Sequence, residues 1–137
     1  DYDKGFLSTE DIENICENHN NVFIDTKKIL GSWANKAKYI KINDYEYKRS
    51  EKFLSPSLDS KIIHTMGGDG CKFQNKNYKV SKVDVKDTSG AGDSFMSGLV
   101  LEYLNSEDII KSIIFDSLTF FVIKSSLFLK EVYFGHS

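Results

Sequence analysis

Cysteine, histidine and proline are scarce in this chain of 137 residues, which holds 2 Cys, 3 His and 1 Pro. Cys16 and Cys71 lie far apart with no Cys-x-x-Cys pair, and the histidines have no metal-ligand spacing. The sequence therefore predicts neither a disulfide framework nor a structural zinc site. With Pro56 as the lone proline, it also predicts no proline-rich linker.

The chain also lacks a strong charge of either sign and a long apolar run. Lys and Arg number 18 against 20 Asp and Glu, so the net charge of -2 predicts no nucleic-acid or anionic-membrane partner. The most apolar stretch, 118–129, is interrupted by Lys124 and is shorter than the roughly 18 residues that a membrane span needs. No secretory signal is readable at the start, so we expect a cytoplasmic protein.

What is present is the composition of an ordinary globular chain, with 40% hydrophobic and 28% charged residues. A chain of this length can bury a hydrophobic core without the support of disulfides or a metal, so we expect one domain. Short β-prone runs at 22–24, 39–42 and 61–66 predict three buried strands. Two further runs, at 71–73 and 78–80, flank a turn at 74–77 and predict a hairpin.

Helical periodicity fills the intervals between these strands. Ser8 with Asp11 fits a loose capping box before the first helix, and Asn43 can cap a second. We predict a loop at 55–60, a helix at 90–104 and a last long helix at 109–122. Strands that alternate with helices predict an α/β layered fold with at least partly parallel strands.

The segment that carries chemistry is Asp87-Thr88-Ser89-Gly90-Ala91-Gly92-Asp93, between an extended run and a helix. Its two glycines permit a tight turn that points backbone N–H groups at one spot, and the helix dipole adds positive potential, so the turn suits a phosphate. Asp93 can then accept a proton from an attacking hydroxyl, which predicts phosphoryl transfer to an alcohol. The alternative is a plain strand-to-helix turn with Asp93 as a capping acid.

Followed by Ser94-Phe95, this string resembles the C-terminal signature of the ribokinase-like (PfkB) carbohydrate kinases. The resemblance implies a ribokinase-like sheet flanked by helices, with ATP and Mg²⁺ as cofactors. It also implies that Asp93 is the catalytic base and that the backbone of Gly90, Ala91 and Gly92 holds the phosphoryl group. In some relatives the positions of Asp87 and Ser89 help to bind a monovalent cation such as K⁺.

Two more segments resemble motifs of the same family, in the expected order. Asn43-Asp44-Tyr45-Glu46 is similar to the Asn-x-x-Glu element, which implies that Asn43 and Glu46 act near the nucleotide phosphates, with Glu46 on Mg²⁺ through water. The alternative is ordinary helix-start chemistry.

The segment 64–70 is similar to the Thr-Leu-Gly-x-x-Gly element beside the nucleotide, which implies ATP contacts for Thr65, Gly67 and Gly70. A plain turn is the alternative there. In the last helix Ser117 matches the family by position, near the base of the nucleotide.

The start of the chain, 1–7, with Asp25-Thr26-Lys27, resembles the heptose-phosphate kinase branch, although Thr26 replaces its usual proline. The whole resemblance covers the C-terminal part of the family's length. We therefore expect 1–137 to be the nucleotide-binding and catalytic part, without the N-terminal sugar-binding part and the lid. The implied partners are ATP and a sugar or sugar phosphate. The sequence does not specify the oligomeric state, although some relatives form homodimers and the resemblance allows one for the full-length protein.

Two other classes of function are kept as alternatives. One is a non-catalytic module, a degenerate kinase fragment that binds nucleotide or sugar. The other is nucleic-acid binding by a set of basic and aromatic residues. The alternative explanation of that set is a solvated helix face. That set consists of Tyr39, Lys41, Tyr45, Tyr47, Lys48, Arg49 and Lys52.

Overall fold

The computed structural model describes residues 5–79 and 91–114, with the backbone alone for 91–95. The chain divides into two compact units, one formed by Asp1–Gly67 with Cys71–Asn77 and the other by Gly68–Gly70 with Tyr78–Ser137. Within the described residues no helix is both long enough and apolar enough to cross a membrane.

Four α-helices and five strands are described. The helices are α1 Thr9–Asn18, α2 Asp44–Ser50, α3 Pro56–Asp59 and α4 Ala91–Ser106. The strands are β1 Phe23–Asp25, β2 Tyr39–Asn43, β3 Ile62–Thr65, β4 Cys71–Phe73 and β5 Lys76–Tyr78. Short 3₁₀ turns cover Ser32–Ala34, Glu51–Phe53 and Gly67–Asp69, and residues 109–114 are helical.

The strands form one sheet in the order β1-β2-β3-β4-β5. β1, β2 and β3 are parallel, with Ile24 beside Ile40 and Ile40 beside Ile62, whereas β4 runs antiparallel to β3. This mixed sheet confirms the prediction of an α/β fold with partly parallel strands. Because parallel strands need crossover segments, helical segments separate β1 from β2 and β2 from β3.

One apolar cluster in the first unit holds the helices against one face of the sheet. α1 begins with the predicted capping box, in which the Ser8 hydroxyl accepts from the Asp11 N–H at 3.0 Å and Asp11 accepts from the Ser8 N–H at 2.8 Å. The cap fixes where α1 begins, and the apolar side of the helix contributes Ile12 and Cys16 to the cluster. The fully or nearly buried members of the cluster are Ile12, Cys16, Ile24, Leu30, Ala34, Ala37, Ile40, Ile42, Leu58 and Ile62.

Two local predictions are wrong. The segment 55–60 is not all loop, since α3 occupies Pro56–Asp59 with Ser55 as its cap and Pro56 in its first turn. Proline fits there because the first-turn N–H has no helical partner. The hairpin turn is also shorter than predicted, because Gln74 (φ 49°) and Asn75 (φ 64°) both adopt left-handed backbone and close a two-residue turn.

The helix predicted from Gly90 is confirmed as α4, which ends where Glu107 adopts a φ of 54°. The next helical stretch begins after Asp108, whose carboxylate accepts from the Lys111 N–H at 3.1 Å. The predicted last helix ran to residue 122, and its residues 115–122 lie outside the described ones.

Candidate active site

The C-terminal ends of β2 and β3 meet at one edge of the sheet. Asn43, the last residue of β2, is the register partner of Thr65, the last residue of β3. In open α/β sheets, ligands bind beyond the carboxyl ends of parallel strands. The structure therefore brings the Asn43-x-x-Glu46 motif and the start of the Thr65-x-Gly67 motif side by side at the edge where a ligand is expected.

Asn43 and Glu46 form a reciprocal cap on α2. The Asn43 side-chain oxygen accepts from the Glu46 N–H at 2.9 Å, and Glu46 Oε2 accepts from the Asn43 N–H at 2.8 Å. Glu46 is 6% exposed, which is unusual for a carboxylate. The helix-start chemistry predicted for this motif is therefore present, and it holds the glutamate close to the strand end.

The same carboxylate uses one of its two oxygens in the hydrogen bonds of the described residues. Among the described residues, Oε2 takes the Asn43 N–H and Glu46 Oε1 has no partner. A Mg²⁺ ion usually keeps several waters and few protein carboxylates, so this donor set fits it. Residues 5–79 and 91–114 contain no cluster of three His, Cys, Asp or Glu side chains that could hold a metal directly.

Thr65 and Gly67 continue from β3 at this edge. The Thr65 hydroxyl donates to the Ile42 carbonyl oxygen at 3.3 Å, so it is anchored to β2. Gly67 has a φ of +58°, and no atom lies within 4 Å of the place a Cβ would take. Glycine is favoured there by its backbone conformation, and the space beside it is open.

Gly70, the last glycine of the same motif, has a different reason to be glycine. Its φ is +90°, and a Cβ would lie 2.0 Å from the Tyr78 carbonyl oxygen. Within the second unit, the close approach of two backbone segments therefore requires glycine at this position whether or not a ligand binds nearby.

An electrostatic cluster that the sequence did not predict lies on the first turns of α2. Asp44 Oδ1 is 3.0 Å from His64 Nε2, and Asp44 Oδ2 is 2.8 Å from Lys48 Nζ. The hydrogen bonds from Lys48 and then from His64 hold the pKa of the Asp44 carboxyl below its ordinary value. The Asp44 and Lys48 spacing of four residues was a readable signal, but the His64 contact depends on how α2 lies on β3.

The predicted phosphate turn is described only in part. Ala91, Gly92 and Asp93 are the first three residues of α4. Their N–H groups therefore belong to the first turn, whose N–H groups have no acceptor within the helix. Asp93 therefore occupies the first turn, as predicted, while its side chain lies outside the described atoms. Asp87, Ser89, Gly90 and Ser117 lie outside the described residues.

The basic and aromatic set considered for nucleic acid does not form one exposed surface. Lys41 is 7% exposed, and its ammonium group lies 3.2 Å from Asp25 Oδ2. Tyr39 lies against Phe73 on the sheet with ring centroids 5.9 Å apart, whereas Tyr45 is exposed on α2. A nucleic-acid backbone would need these cations on one accessible face.

Comparisons with known proteins agree with this arrangement of motifs. The model of the pfkB family carbohydrate kinases matches residues 8–117. Probable fructokinase-2 of Arabidopsis thaliana is 28% identical over 99 residues, which cover 62% of this chain and 30% of the relative. Probable fructokinase-6, chloroplastic, of the same plant is 31% identical over 100 residues, or 62% of this chain and 26% of the relative.

Solved structures show the same fold. A ribokinase from Thermotoga maritima superposes with a TM-score of 0.67 at 19% identity, over 85% of this chain and 46% of that one. A nucleoside kinase from Methanocaldococcus jannaschii superposes with a TM-score of 0.61 at 20% identity, over 82% and 45%. This chain thus spans less than half the length of either structure, and its fold is ribokinase-like. With the family model matched over residues 8–117, the chain belongs to the pfkB family of carbohydrate kinases.

Proposed function

We propose that this chain is the nucleotide-binding and catalytic part of an ATP-dependent kinase that phosphorylates a sugar hydroxyl. The observation that carries the proposal is the register pair of Asn43 and Thr65. It sets the two nucleotide-facing motifs of the family beside each other at the carboxyl edge of parallel strands, where ligands of such sheets bind. The sugar-binding part and the lid would come from sequence beyond these 137 residues or from a second polypeptide.

The site residues have the roles that the family resemblance implies. Glu46 would hold Mg²⁺ through water with its unengaged oxygen, and Asn43 keeps that carboxylate in place. When bound, Mg²⁺ neutralises charge on the ATP phosphates. Thr65, Gly67, Gly70 and Ser117 would line the nucleotide, and Asp87 with Ser89 would hold K⁺.

At the start of α4, the backbone N–H groups of Gly90, Ala91 and Gly92 would stabilise the negative charge that develops on the phosphoryl group. Asp93 would accept the proton of the sugar hydroxyl as that oxygen attacks phosphorus. The positive end of the helix dipole favours the ionised form of a carboxylate in this turn, which is the form that a base requires.

The acceptor that we propose to test first is fructose, because two similar curated relatives are named fructokinases. Heptose phosphate follows, on the resemblance of residues 1–7 and Asp25-Thr26-Lys27 to that branch. Ribose is the third acceptor, because a ribokinase shares the fold.

The test is ADP release by the full-length protein with each sugar, in the wild type and in Asp93→Asn. We expect sugar-dependent release, a loss of kcat of about a hundredfold or more in Asp93→Asn, and retained ATP binding. Asp108→Asn is the matched control. It makes the same change at a helix cap, a position where asparagine caps the helix as well as aspartate does.

The outcomes separate the enzyme from a binding module. ATP binding without any sugar-dependent ADP release would support a degenerate, non-catalytic fragment. Equal kcat in Asp93→Asn and in the wild type would overturn the role of Asp93 as base.

A further inference from the structure

We propose that His64 is a positioning residue that fixes the Asn43–Glu46 turn against the end of β3. This inference rests on the proposed function, because the turn that His64 holds is the one assigned there to ATP and Mg²⁺. His64 is not among the residues to which the family motifs quoted above assign a role. We single it out because of its contacts in the structure.

His64 touches the first two turns of α2 in two independent ways. Its Nε2 lies 3.0 Å from Asp44 Oδ1. Its ring stacks on that of Tyr47, with centroids 4.4 Å apart and planes 8° apart. One contact is polar and directional and the other is a face-to-face packing contact, so together they fix both the height and the rotation of the helix start on the strand.

The position of His64 in the sequence links the two motifs. On α2, Asp44 lies between Asn43 and Glu46, the two residues of the reciprocal cap. On β3, His64 precedes Thr65, the register partner of Asn43. A displacement of α2 from β3 would therefore move Glu46 relative to Thr65, and the histidine resists that displacement from the inner side of the helix.

The direction of the hydrogen bond between His64 and Asp44 follows from the carboxylate, which has no hydrogen to donate and can only accept. Nε2 of His64 must therefore carry the hydrogen. The side chain of His64 is 12% exposed, so the donor end of this bond is shielded, whereas the side chain of Lys48, the other partner of Asp44, is 71% exposed.

Other charged groups surround His64 along a cleft of about 260 Å³ in the first unit. Glu51 and Asp59 line it from the helical side, and Lys72, the cross-strand partner of His64, lines it from β4. Tyr47 donates to Asp59 Oδ1 at 3.0 Å, which ties the stacked ring to α3 as well. Through these contacts His64 connects β3 directly with α2 and, by way of Tyr47, with α3.

Three variants of the full-length protein separate positioning from simple packing. His64→Phe keeps a ring for Tyr47 but removes the N–H donor. His64→Gln removes the ring but keeps an amide N–H near the place of Nε2. Lys48→Met cuts only the exposed half of the Asp44 bridge and is the matched control. The measurements are the Kd for MgATP, the KM for the sugar, and the hydrogen-exchange rates of the Asn43 and Glu46 amides.

We expect His64→Phe to raise the Kd for MgATP about tenfold and to speed exchange at both amides, with the sugar KM unchanged. His64→Gln should recover part of the loss, and Lys48→Met should change neither quantity. If His64→Phe fails to fold, Asp44→Ala, at a half-exposed side chain, must reproduce the weaker binding.

The contrary outcomes are distinct. Normal MgATP affinity and normal exchange in His64→Phe would overturn the inference and leave the proposed function intact. An equal effect of Lys48→Met would also overturn it, because the histidine would then have no special part. A wild type that does not bind MgATP would overturn the proposed function, and this inference with it.

Discussion

Tyr47 and His64 lie face to face, with ring centroids 4.4 Å apart and planes inclined by 8°. The two residues come from adjoining elements, Tyr47 from the middle of α2 and His64 from β3. Their contact is the inner part of a chain of interactions that runs from Lys48 through Asp44 and His64 to Tyr47 and Asp59. Helix α2, whose cap holds Glu46, is thereby attached to the sheet through side chains rather than through the cap alone.

Replacing Tyr47 tests how much this stack contributes to stability. Tyr47→Leu removes the ring contact and should lower the free energy of unfolding by about 1–2 kcal/mol, whereas Tyr47→Phe keeps the stack and loses only the hydrogen bond to Asp59, for about 0.5–1 kcal/mol. Urea unfolding of the full-length protein measures both changes. Equal losses in the two variants would show that the hydroxyl, and not the ring, supports α2.

The ionisation of Asp44 should make the first turn of α2 sensitive to acid. Lys48 and His64 lower the pKa of Asp44 in the folded state, so the stabilisation is present above the pKa of the unfolded chain, about 3.9, and is lost as pH falls through the lower folded value. Carboxyl NMR titration should show the Asp44 pKa rising toward its ordinary value in Lys48→Met. A titration unchanged by that substitution would contradict the assignment of Lys48 as the main cause.

Two glycines of one motif should respond differently to alanine. Gly70→Ala would put a Cβ 2.0 Å from the Tyr78 carbonyl oxygen and should cost more than about 3 kcal/mol. Gly67→Ala meets no atom within 4 Å and should cost only about 1–2 kcal/mol, from its φ of +58°. Thermal unfolding of the two variants compares them directly, and a larger loss for Gly67→Ala would show that the Gly70 contact is misplaced.

The pair of Lys41 and Asp25 joins neighbouring residues on β2 and β1. Asp25→Ala would leave the Lys41 ammonium, whose side chain is 9% exposed, without its carboxylate, and should destabilise the protein by about 3 kcal/mol. Lys41→Met fills the same space with an apolar chain and should cost about 1 kcal/mol or less. Urea denaturation measures both changes in the free energy of unfolding. A larger loss in Lys41→Met than in Asp25→Ala would indicate that Lys41 stabilises the protein through more than its pairing with Asp25.

Much of the fold could be predicted because its signals are local. The pairs Ser8 with Asp11 and Asn43 with Glu46 mark helix starts through groups three residues apart, and both caps form as their spacing indicates. The first three strands are short β-prone runs whose bounds agree with the structure to within about two residues. Their parallel pairing follows from the helical segments between them.

What the sequence could not provide depends on distant contacts or on overlooked turn chemistry. The approach of His64 to Asp44 arises from the register of β3 on β2 and from the angle of α2, which no pattern within either segment encodes. The hairpin turn was predicted too wide because Gln74 is not a usual left-handed residue. The helix at Pro56 was missed although Ser-Pro is a common start signal.

Within the described sheet, the spatial order of the strands repeats their order along the chain. Among these five strands, each one after β1 therefore pairs with the strand synthesised just before it. A polypeptide emerging from the ribosome can add each of them to a strand that has already been made, so these five strands are suited to stepwise assembly during translation.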